Sequence, residues 1–182
     1  NGPFLMADPG VQFIFLRANR DLLELARLLG MDASYDEIRG WIDLVSVGCD
    51  WLWNDKVGGY CARDIRSGGF SDAITNASML SFYGDVGTAE QRASMAEHCR
   101  RILAACQYGI PSWDPEHPDF ESRRYWRGPV WAIMNHMITT GLADAGEAAL
   151  ADRVRSDTNR LIETQGMAEY LSLIHISEPT RH

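Results

Sequence analysis

No apolar run in this chain approaches the length of a membrane span, about 20 residues. None of the four cysteines, Cys49, Cys61, Cys99 and Cys106, stands in a CxxC pair or close to a pair of histidines. Their spacing therefore offers no metal site, and none is expected. Positive charge is scarce as well: 17 Lys and Arg stand against 25 Asp and Glu, for a formal net charge of −8. Nucleic acids and anionic membranes both need clustered basic side chains, so neither is an expected partner. The chain has no Met at its start and no charged-then-apolar leader. The native N-terminus and any targeting signal are expected upstream, which makes the chain an internal fragment. Fixed-period self-similarity is absent too, which argues against a helical-repeat interaction protein.

What is present is core material. Of 182 residues, 46% are hydrophobic, with six each of Trp, Tyr and Phe, enough for one domain with a real core. Cys99 and Cys106 fall seven apart in a helical pattern, so both are expected to face that core as small hydrophobes. Thiols used this way favour a reducing compartment, hence a cytoplasmic location.

Helices dominate the pattern. Asp8-Pro9 is a capped start, followed by Val11, Ile14, Phe15, Ala18, Leu22, Leu25 and Leu29 at helical spacing, with Gly30 as the stop. Ser34 with Glu37 reads as a capping box opening a second helix towards Trp53. Gly58-Gly59 break the pattern, and Tyr60 to Ile65 with Ser67-Gly68-Gly69 suggests a small hairpin or ordered loop. A third helix is expected over Asp72 to Phe82, and a fourth from the Thr88–Gln91 capping box to about Gln107. Gly109 to Tyr125 is a long loop rich in Pro, a length that in compact domains is usually functional or disordered. Helix five is expected to open at Gly128-Pro129, and helix six to run from Gly146 to about Gln165. The sum is an all-α array of helical hairpins without a substantial sheet.

Residues 171–182, LSLIHISEPTRH, resemble the translated read-through of a common transposase-type sequencing adapter. The native domain is accordingly expected over 1–170, with 171–182 a non-native tail; the alternative is a short strand and a polar tail.

Arg123-Arg124-Tyr125-Trp126-Arg127-Gly128-Pro129-Val130-Trp131 gathers aromatic and guanidinium groups where the long loop meets a helix. Aromatic faces stack on the C–H faces of sugar rings, while Arg and indole N–H groups donate to hydroxyls or carboxylates. Composition alone equally allows aromatics packed inward beneath solvated arginines. The run Tyr125 to Trp131 resembles the YWRGP(V/I)W motif of glycoside hydrolase family 63 and its mannosylglycerate-hydrolase-like relatives. Weaker similarities agree: Pro3 to Pro9 with Leu16 to Leu22, Gly58-Gly59-Tyr60 with Asp64, and Pro111-Ser112 before Asp114-Pro115. The resemblance covers nearly all of residues 3 to 170, and Trp113 departs from the aliphatic residue expected at its position.

The resemblance implies about half of an (α/α)6 toroid barrel and an inverting hydrolase working with two carboxylates. It implies cleavage of an α-linked glucosyl or mannosyl unit from a small conjugate or oligosaccharide. Water is the nucleophile and no cofactor is needed. Gly166-Met167-Ala168-Glu169-Tyr170 matches the family's base segment, which makes Glu169 the candidate general base. Tyr125, Trp126, Arg127, Gly128 and Trp131 become candidate substrate contacts, against the alternative that Tyr125 only covers the core. The general acid is expected in a Gly-x-Asp segment upstream of residue 1, because Asp8 reads as a helix cap. His136, Trp51 and Trp53 read better as packing residues than as catalytic or barrel-lining ones. Alternatives on the same barrel are a trehalase- or debranching-type glucosidase and a non-catalytic sugar-binding relative. Half a barrel is also expected to expose apolar faces and to aggregate or fold marginally.

Overall fold

The computed structural model describes residues 5–172. Pro3, Phe4 and the tail from residue 173 lie outside them. Six α-helices order the described residues: α1 Pro9–Leu28, α2 Tyr35–Asp50, α3 Asn76–Met79, α4 Ala89–Ala105, α5 Ala132–Asp144 and α6 Ala148–Gln165. Among the described residues, four two-residue strands make two antiparallel ladders. Met6–Ala7 (β1) pairs with Arg63–Asp64 (β4), and Trp53–Asn54 (β2) with Gly59–Tyr60 (β3).

Helix starts follow local chemistry where a cap is made. Asp8 is extended, its Oδ1 accepts from Val11 N at 3.0 Å, and Pro9 supplies a ready-made φ. At α4 the Thr88–Gln91 box is complete, each side chain bonding the other's backbone N–H. The box expected at Ser34 and Glu37 does not form. Ser34 closes a 3-10 turn, Asp32–Ser34, in a helical conformation (φ −93°, ψ −8°) that denies its hydroxyl the capping geometry. Helix α2 then stops at Asp50, short of Trp53, which is drawn into the β2–β3 ladder.

Two further expectations are corrected by long-range backbone pairing. The third helix shrinks from Asp72–Phe82 to Asn76–Met79 because Thr75 bridges to Trp113, and Ile74 O accepts from Asp114 N at 3.0 Å. Helix α5 opens at Ala132 rather than at Gly128-Pro129 because Val130 bridges to both Pro111 and Leu171, keeping Trp131 extended (φ −106°, ψ 112°).

Helices α1 and α2 form one hairpin, α5 and α6 another, and α3 lies against both α1 and α5. Phe13, Leu16, Tyr60, Met79, Ile102 and Ile138 fill the core between them, and all four cysteines are buried. Tyr108, Val130, Leu161 and Leu171 form a second buried cluster beneath the site described next. Leu171 is thus 1% exposed and paired within the fold, although the sequence reading assigned it to the tail. Along α1 and α2, Val11, Phe15, Leu22, Leu25, Leu28, Leu44 and Val47 remain exposed, an apolar surface without a covering element among the described residues. No helix among the described residues is long and apolar enough to cross a membrane.

Candidate active site

The segment carrying Glu169 is fastened by main-chain chemistry. Gly166, at φ 80°, ends α6 and turns the chain. Val130 and Leu171 then exchange both backbone hydrogen bonds, at 2.9 and 2.8 Å. Gln165 Nε2 donates to Ser172 O at 2.7 Å while Ser172 N donates to Gln165 Oε1 at 3.0 Å, closing the loop that holds Glu169. The 125–131 run and the 166–172 loop are therefore laced side by side.

That lacing brings four aromatic rings and one carboxylate together. Trp126 and Trp131 stack with centroids 3.9 Å apart and planes 2° from parallel. Tyr125 presents an edge or face to Trp126, Trp131 and Tyr170, at 5.8, 4.8 and 5.4 Å. Its hydroxyl donates to Glu169 Oε1 at 2.6 Å, and this hydrogen bond, with some desolvation, holds the phenol above its usual pKa of 10.0. Trp131 is 5% exposed and donates its indole N–H to Tyr125 O at 3.2 Å, so it backs the cluster. Trp126 is 47% exposed and carries the open ring face.

Beside that face lies a cavity of about 370 Å³ whose lining includes Asp8, Thr75, Asn76, Ser112, Trp113 and Trp126. Its lining is mostly apolar with a few polar groups, the make-up of a small-molecule site. The larger groove between α5 and α6, about 670 Å³, contains none of the 125–131 residues.

The other two expected substrate contacts, Arg127 and Gly128, are also engaged within the protein. Arg127 lays its guanidinium over the Trp113 ring at 5.6 Å and lies 3.7 Å from Glu121 Oε1. Gly128 is buried, and its N–H donates to Ser112 Oγ at 2.9 Å. A β-carbon there would fall 2.5 Å from Ser122 Cα, so only glycine lets the 121–122 backbone pass. Trp113 is positioned in turn by a clamp, with Arg101 bonding Asp114 Oδ1 and Oδ2 at 3.0 and 2.5 Å.

Several side chains sit elsewhere than expected. His136 is exposed on α5 rather than buried, facing the α5–α6 groove. Trp51 is 41% exposed and covers the Arg63 guanidinium at 4.0 Å instead of packing in the core. Trp53 does pack, edge-on to Tyr60 at 5.0 Å. Asp8 is the cap that its sequence context implied. Sequence reasoning passed over Tyr170 as a site residue, and also Thr75 and Asn76. For Tyr170 the signal was present, an aromatic next to the candidate base. For the other two it was not.

Stacked indoles with a carboxylate at one side and a cavity at the other, set between helical hairpins, have the make-up of a small-molecule site on a helical scaffold. The model of the mannosylglycerate hydrolase MGH1-like glycoside hydrolase domain matches residues 1–172. Mannosylglycerate hydrolase MGH1 from Selaginella moellendorffii is 40% identical over 168 residues, covering 92% of this chain and 34% of that protein. The mannosylglycerate hydrolase of Thermus thermophilus is 42% identical over 170 residues, covering 92% of this chain and 40% of the relative. A solved structure of a family 63 mannosylglycerate hydrolase from Thermus thermophilus, in complex with glucose, superposes with a TM-score of 0.90. The two share 37% identity over 96% of this chain and 42% of that one. The chain belongs to the MGH1-like glycoside hydrolase family, and it spans about a third to two-fifths of the length of the relatives it matches. Its helices are those of part of a family 63 helical barrel, and the trehalase or debranching alternative is not favoured.

Proposed function

We propose that this chain forms the base-bearing part of an inverting glycosidase that hydrolyses an α-mannosyl or α-glucosyl bond to glycerate. The observation that carries the proposal is the Glu169 carboxylate, held by Tyr125 at 2.6 Å beside the Trp126–Trp131 stack. In this reading Trp126 receives the apolar face of the sugar ring. Glu169 takes a proton from a water that attacks the anomeric carbon on the side opposite the leaving oxygen. The glycosidic C–O bond breaks as the new C–O bond forms, and glycerate leaves with the proton of a second carboxylic acid. That acid belongs to the part of the barrel that precedes α1 in this reading. Four reduced, buried thiols suit a cytoplasmic setting.

The test is a chimera in which residues 1–172 replace the matching segment of the Thermus thermophilus hydrolase, assayed on mannosylglycerate. Hydrolysis by the chimera and a loss of about 10²–10⁴ in rate on Glu169→Gln are expected, the size of a general-base contribution. A Glu169→Gln chimera that keeps its rate removes Glu169 from the chemistry.

A further inference from the structure

Glu169 is fixed through its backbone by the Val130–Leu171 pair and the Gln165–Ser172 bonds, but those bonds leave its side chain free to rotate. Among the described residues, the side chain bonded to its carboxylate is Tyr125, through Oη to Oε1 at 2.6 Å. Tyr125 is itself unusually constrained for a residue 44% exposed. Three aromatic neighbours surround its ring, and its carbonyl accepts from the Trp131 indole. A donor locked this way costs little entropy when it bonds a carboxylate, which is what holding a reacting group in one orientation requires.

We infer that Tyr125 is a positioning residue for Glu169: its hydroxyl, set by the Trp126, Trp131 and Tyr170 rings, aims one carboxylate oxygen and leaves the other for the attacking water. This rests on the proposed function and deepens it, moving Tyr125 from the sugar-contact role to the water-activating side of the site.

Tyr125→Phe keeps the ring and its three aromatic contacts and deletes only the donor. In the chimera, Tyr125→Phe should lower kcat about tenfold or more with KM within about twofold, as expected when a hydrogen bond that orients the base is lost and sugar contacts are kept. A rise in KM alone would return Tyr125 to sugar binding and overturn the inference. A Glu169→Gln chimera that stays active defeats the proposed function itself. An inactive Glu169→Gln beside an unaltered Tyr125→Phe defeats only the positioning role.

Discussion

Trp126 lies flat on Trp131, ring centroids 3.9 Å apart and planes 2° from parallel, although one ring is 47% exposed and the other 5%. The buried ring braces the open one, so the exposed indole face is held in one orientation. Two indoles so close and parallel couple electronically and should give a couplet in the far-ultraviolet circular dichroism near the indole transition. Trp126→Ala should abolish it with little loss of stability, whereas Trp131→Ala should abolish it and cost about 3 kcal/mol or more. Urea titrations followed by circular dichroism check both statements.

Asp114 anchors the loop that carries Trp113. Burial would push its carboxyl up, but the hydrogen bonds and charge of Arg101, with Glu116 N, bring it below 3.8. A depressed carboxyl contributes stability that is present above pH 3.8 and is lost as pH falls through its lower native value. Asp114→Asn should therefore cost about 2 kcal/mol at pH 7, and the gap to the parent protein should close as pH falls below about 4. Urea midpoints at pH 7 and pH 3 measure the two ends.

The thiols behave in the opposite sense. Burial pushes Cys61, Cys99 and Cys106 up to about 12, and Cys49 to about 11, from 9.0. Their neutral forms support the fold fully below pH 9.0, and that support is lost as pH rises through about 12. Iodoacetamide at pH 8 should leave all four unmodified in the native protein and alkylate all four in denaturant, read by mass spectrometry.

Glycine substitutions in two helices should have opposite signs. Gly40 in α2 has open space where a β-carbon would go, so Gly40→Ala should add about 0.5–1 kcal/mol. Gly141 in α5 presses on the Phe82–Tyr83 backbone, where a β-carbon would come within 2.5 Å of Phe82 C. Gly141→Ala should therefore destabilise by more than about 1 kcal/mol despite its helix propensity. Thermal melts of both variants decide the matter.

The parts of the fold legible in the sequence were those set by residues three or four apart. Asp8-Pro9, Thr88–Gln91, Gly30 and Gly146 announce helix ends because a cap or a positive φ is a local requirement. Helices α3 and α5 were misjudged because their starts are decided by strand-like bridges from Pro111, Trp113 and Leu171, which no local pattern encodes. The Tyr125–Glu169 bond joins residues 44 apart, and only the resemblance of the two segments to one family placed both in a single site. The contacts of Arg127 with Trp113 and the Glu121 carboxylate, and the burial of Gly128 against the Glu121–Ser122 backbone, were invisible because each depends on how the long loop folds back on itself.

The central claim is most directly tested by ¹H NMR of mannosylglycerate hydrolysis by the chimera, read in the first minutes before mutarotation. Inversion at an α-linked substrate predicts β-mannose as the first product, and its disappearance in Glu169→Gln. Appearance of α-mannose first would mean retention, and would contradict the assignment of Glu169 as the base that activates water.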